Sequence, residues 1–99
     1  MGKWRIVSSD LWDRDFLDLV EPAYILFSPQ SGSEFAFGAV TGSMECSFGR
    51  NTASFTWVGN DEMDDVSGFG EAELDSSGIL TVELDRHFGD DAVLTARKW

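Results

Sequence analysis

The stretch "TGSMECSFGRNTASFTWVG", residues 41 to 59, decides the fold. Met44, Cys46 and Phe48 fall on one side of an extended chain, with Glu45 and Ser47 on the other. After the turn-forming "GRNT" at 49–52, Ala53, Phe55 and Trp57 repeat the pattern. Successive side chains of a strand point to opposite faces, so a period of two gathers these residues on one surface. A helix would scatter them around its axis. Two such runs joined by a short turn predict an antiparallel hairpin with one apolar face.

Outward from this hairpin the same period recurs. Phe35, Phe37 and Ala39 alternate in "EFAFGAVTG", Ala72 and Leu74 in "GEAELDS", and Leu80, Val82 and Leu84 in "GILTVELDR". Turn-forming clusters separate the runs: "PQSGS" at 29–33, "TGS" at 41–43, "DSSG" at 75–78 and "HFGDD" at 87–91. The acidic "GNDEMDDVSG" at 59–68 reads as the longest connection. Strands are predicted at 3–8, 23–28, 34–41, 44–49, 53–58, 68–75, 79–86 and 92–98. Short links favour pairing in sequence order. The predicted fold class is therefore all-β, an antiparallel up-and-down meander of one domain spanning residues 1–99. An open sheet would expose two edges, and closure into a small barrel removes them. A β-sandwich is the alternative, because local alternation is the same in both. Gly38 and Gly70 inside predicted strands are expected to mark bulges or bends.

One segment does not alternate. In "DLWDRDFLDLVEP", residues 10 to 22, Asp10 can cap a helical turn, and Trp12, Phe16, Leu19 and Val20 fall near helical spacing. Pro22 stops the helix. A helix of about two turns is not stable alone, so its apolar face must dock. The open end of a barrel is the predicted dock.

Charge narrows the function classes. Residues 1–50 carry seven acids and four bases, a balance of −3, and residues 51–99 carry eleven acids and three bases, a balance of −8. A total of −11 argues against nucleic acid and anionic membrane as partners, since both reward basic patches. No apolar run approaches the length of a membrane helix, and Met1 leads straight into strand-like sequence, so cytoplasmic residence is expected. Cys46 is the single cysteine and shares a face with Met44 and Phe48, which predicts a buried, inert thiol. His87 is the single histidine, in a turn, with no nucleophile at a marking spacing. The bunched carboxylates of "NDEMDD" lack the glycine of a calcium loop. No catalytic residue, metal or cofactor is therefore predicted.

A resemblance adds to this reading. "GKW", Gly2-Lys3-Trp4, resembles the G-x-W of the first strand of the calycins, the lipocalins and fatty-acid-binding proteins. In that superfamily an Arg of the last strand lies across the Trp ring. The matching residues are Trp4 and Arg97, the latter in "LTARKW". The stretch "KWRIVSSDLWDRDFLDLV" is similar to the strand-then-helix opening of the fatty-acid-binding branch. The whole chain also resembles a group of small bacterial proteins of unknown function with the same "WRI", "DLWD" and "FGDD" elements. The resemblance implies a barrel and a structural Trp4–Arg97 pair. The arginines and tyrosine that hold a fatty-acid carboxylate have no counterpart.

Two functions follow as expectations. In the first, the barrel is a non-enzymatic interaction or structural protein with a largely filled core, a monomer or weak homodimer, contacting a protein partner through outer aromatics such as Trp12 or Trp99 or through its acidic face. In the alternative, it is a calycin-like binding module for a small apolar or aromatic ligand lined by Trp4, Phe35, Phe37, Phe55 and Trp57.

Overall fold

The computed structural model describes residues 2–11, 14–18, 22–28, 32–87, 89 and 91–99, with Arg14 described by its backbone alone. The eight strands are β1 (Gly2–Ser9), β2 (Tyr24–Phe27), β3 (Ser33–Phe37), β4 (Val40–Phe48), β5 (Thr52–Asp61), β6 (Asp64–Leu74), β7 (Ile79–Arg86) and β8 (Ala92–Lys98). A single helical turn, α1 (Arg14–Leu17), lies between β1 and β2. Each strand pairs antiparallel with the next, and β1 pairs with β8 to close the barrel. The meander reading holds, and closure rules out the sandwich alternative.

The opening hairpin takes the register its pattern demands. Met44 faces Trp57, Cys46 faces Phe55 and Phe48 faces Ala53. Three details differ from expectation. The turn placed at 41–43 falls instead at Gly38 and Ala39, and Gly42 lies within β4. Gly38 adopts φ +56°, a backbone state that favours glycine, and the Phe16 ring sits where its Cβ would be. The connection expected at 59–68 is strand: β5 and β6 run to Asp61 and from Asp64, with only Glu62 and Met63 between. The barrel's bulge is at neither Gly38 nor Gly70. It lies between Ile6 and Ser8, where β1 slips one residue against β8.

The interior fills by pairing rings with glycines across the ladder. Phe35 faces Gly42, Phe55 faces Gly70 and Trp57 faces Gly68. A Cβ on Gly42 would lie 2.5 Å from the Phe35 ring, and one on Gly70 2.6 Å from the Phe55 ring. Each ring therefore occupies space its neighbour vacates. Such burial contributes roughly 1.5–3 kcal/mol per large apolar side chain.

Within the described residues of the segment after β1, α1 forms one turn. Leu17 is fully buried in the core, and its carbonyl accepts from the Gly38 N–H at 2.7 Å. Asp18 accepts from Arg5 Nη2 on β1 and from the N–H of Ala23, just before β2, each at 2.9 Å. The Asp10 carboxylate accepts from the Val93 N–H at 2.8 Å, and its own N–H donates to the Val93 carbonyl; the N–H groups it is expected to cap lie outside the described residues. Trp12, Leu19 and Val20 of the expected stripe lie outside the described residues.

Candidate functional site

Trp4, Phe35, Phe37, Phe55 and Trp57 all point inward and are buried. Phe35 stacks on Phe37 with centroids 5.7 Å apart and meets the Trp57 ring edge to face at 5.2 Å. Phe55 packs against Phe27 at 6.3 Å. Trp57 Nε1 donates to the Asp85 carbonyl at 3.1 Å, which satisfies the indole N–H without a ligand. Phe27 was not among the expected lining residues. Its strand, "YILF", is apolar at every position and hides the period. The polar tip of Tyr24, donating to Glu34 at 2.9 Å, is the signal that Tyr24 faces out and Ile25 and Phe27 face in.

The cation over Trp4 is Lys98, not Arg97. Lys98 Nζ lies 5.2 Å from the ring centroid, and Lys98 is the ladder partner of Trp4. Arg97 faces Arg5 on the outer surface. The parity of β8 dictates this: Ala92, Leu94 and Ala96 are buried, so position 98 shares their side and 97 opposes it. Arg5 points out as well and engages Asp18, while Lys3 Nζ sits 4.2 Å above the Trp99 ring.

Two clefts on the outside of the barrel share Ser54 and Glu71. One, of about 460 Å³, runs over Thr52, Ser54, Glu71, Glu73, Thr81 and Glu83. The other, of about 550 Å³, runs over Glu45, Ser47, Ser54, Thr56, Phe69 and Glu71. The ladder aligns this wall in rows. Glu45, Thr56, Phe69 and Asp85 form one row, and Ser47, Ser54, Glu71, Glu83 and Val93 form the next. A third row is Thr52, Glu73, Thr81 and Thr95. Among the described residues, no Lys or Arg occupies an outward position of β4 to β7. Arg86 takes the inward parity and pairs with Asp61 at 2.9 Å. Burial, and then the neighbouring Asp91, Glu83 and Glu71 carboxylates, raise the Asp85 carboxyl above its ordinary value.

His87 continues the β6–β7 ladder, donating its N–H to the Ser67 carbonyl at 2.8 Å. Its Nδ1 lies 3.2 Å from Ser67 Oγ, and its ring lies 6.2 Å from Phe69. A hydroxyl beside an imidazole is half of a nucleophile–base arrangement. Here His87 faces solvent, and cross-strand register accounts for the contact. Cys46 is half-buried rather than buried. Burial pushes its thiol up, against a smaller lowering from Ser33, which disfavours the reactive thiolate. Among the described residues, no group of three or more His, Cys, Asp or Glu side chains could hold a metal ion, and no helix is long and apolar enough to cross a membrane. Comparison with family models, with curated proteins and with solved structures finds no match for this chain.

Proposed function

We propose that this protein is a non-enzymatic interaction module, a filled barrel that offers its outer surface to a protein partner. The occupancy of the interior carries the reading. Of the five aromatics that would line an internal ligand, Phe35, Phe37 and Trp57 pack against one another, Phe55 packs against Phe27, and Phe35, Phe55 and Trp57 lie over glycines; of the five, Phe55 alone borders either of the two clefts described above. The first-strand Trp4 beneath a last-strand cation supports a calycin-like reading of the barrel. At −11, copies repel one another, so the free protein is expected as a monomer.

Titration with a panel of apolar dyes tests this. No saturable uptake and no rise in melting temperature are expected; stoichiometric uptake with a raised melting temperature would establish the ligand-binding alternative. In parallel, Phe37→Ala is expected to cost roughly 3–5 kcal/mol in chemical denaturation, because it opens a cavity among packed rings. A nearly neutral result would reveal empty space in the barrel.

A further inference from the structure

The outer wall of β4 to β7 is more than a solvated acidic surface. Phe69 stands at its centre 49% exposed, and Val58 on the neighbouring strand is 64% exposed. Phe69 faces Thr56 and Asp85 in its row, with Glu71 next along β6. Glu71 stands directly opposite Glu83, an arrangement that destabilises a sheet because the side chains are close and alike in charge. The wall therefore holds an apolar ring and mutual repulsion side by side, along two clefts that share Ser54 and Glu71. Among the described residues, Lys3, Arg5 and Arg97 project outward from β1 and β8, the first two against Trp99, and Arg50 lies in the β4–β5 turn at the edge of the wall.

We propose that this wall docks an extended, arginine-bearing segment of a partner protein, with one guanidinium over Phe69 and its neighbours on Glu71 and Glu83. The proposal rests on the interaction-module reading and names its partner chemistry. Charge complementarity selects the occupant, since only a cation relieves the Glu71–Glu83 opposition while adding favourable charge contacts. The exposed ring selects arginine over lysine, because a planar guanidinium stacks on an aromatic face and bonds carboxylates through paired donors. The form is extended because strands about 4.8 Å apart present carboxylates along a row rather than in a bowl. A second copy of this chain is a poorer occupant: it brings −11 of its own, and its Lys3 and Arg5 already contact Trp99.

The test is fluorescence anisotropy of a labelled peptide of alternating Arg and Ser, long enough to cross four strands, titrated with the whole protein at low and high salt. Saturable binding that weakens with salt is expected, with the Lys peptide weaker than the Arg peptide. Glu71→Gln/Glu83→Gln should weaken binding about tenfold. Phe69→Ser should weaken it about threefold and abolish the preference for Arg. Glu62→Gln/Asp64→Asn removes the same two charges at the β5–β6 turn and should leave affinity within about twofold. Should the double wall variant misfold by circular dichroism, Glu83→Gln alone and Phe69→Ser carry the same comparison. An equal loss in the turn variant would reduce the effect to net charge and overturn the proposal, as would absence of saturable binding. Self-association by sedimentation that the wall variants abolish would also overturn it, by assigning the wall to a second copy. Dye uptake would sink the interaction-module reading itself, whereas silence from both dye and peptide would remove only this inference.

Discussion

Lys98 and Arg97 differ by one position and by everything that follows from parity. Position 98 shares a face with Leu94 and Ala96, so its ammonium reaches Trp4 at 5.2 Å. Position 97 looks outward at Arg5. Arg97→Ser is therefore expected to change stability by less than about 0.5 kcal/mol, as ordinary surface substitutions do. Lys98→Met should cost about 0.5–1 kcal/mol through the lost cation–ring contact. Urea denaturation of the two variants checks the order, and a larger loss for Arg97→Ser would restore Arg97 as the structural partner. The residues themselves were legible here: the period of two in "AVLTARK" already separates 97 from 98. The family resemblance pointed to an arginine and drew attention one residue too early. Phe27 was hidden for the opposite reason, since in "YILF" the Tyr24 hydroxyl alone marks which side faces out.

At the scale of elements, two connections were misread for a shared cause. Glycine and acidic residues signal turns, yet in a tight barrel they also serve inside strands. Gly42 is in β4 because the Phe35 ring needs its space, and Asp61 is in β5 because it pairs with Arg86. Neither requirement is visible before the register is known. The β5–β6 hairpin that results is not ideally made. Glu62 holds φ +57°, where a side chain is strained, beside an almost wholly exposed Met63. Its N–H donates to the Ala39 carbonyl at 3.2 Å, which anchors the turn to the β3–β4 connection. Glu62→Gly keeps that backbone bond and removes both the strain and one of four crowded carboxylates. It is expected to stabilise the domain by roughly 0.5–1.5 kcal/mol, since glycine adopts this backbone state at little cost. A loss of stability in thermal unfolding would mean that the Glu62 side chain has a favourable contact outweighing its strain.

For the whole molecule, the barrel satisfies its interior and concentrates its electrostatic cost outside. The alternation foretold a closed apolar face, but the rows that bring Glu71 against Glu83, and Asp85 against Asp91, depend on how strands align. No local pattern encodes that alignment. Its consequence appears in pH dependence. Asp85 binds its proton more tightly in the folded protein than an ordinary carboxyl does, through burial and through Asp91, Glu83 and Glu71. A group raised in the folded state contributes stability when protonated and loses that contribution as pH rises through its folded value. Acidification from neutral toward the ordinary carboxylate range should therefore raise the melting temperature at first. Easing of the −11 self-repulsion acts in the same direction. The two causes separate by salt and by substitution. Salt screens the long-range repulsion between exposed charges far more than the close contacts around Asp85. Asp85→Asn should raise the melting temperature at neutral pH and flatten its rise on acidification even in high salt. If the variant keeps the full wild-type slope in high salt, the cost lies in net charge, and the wall carries no special repulsion for a cationic partner to relieve.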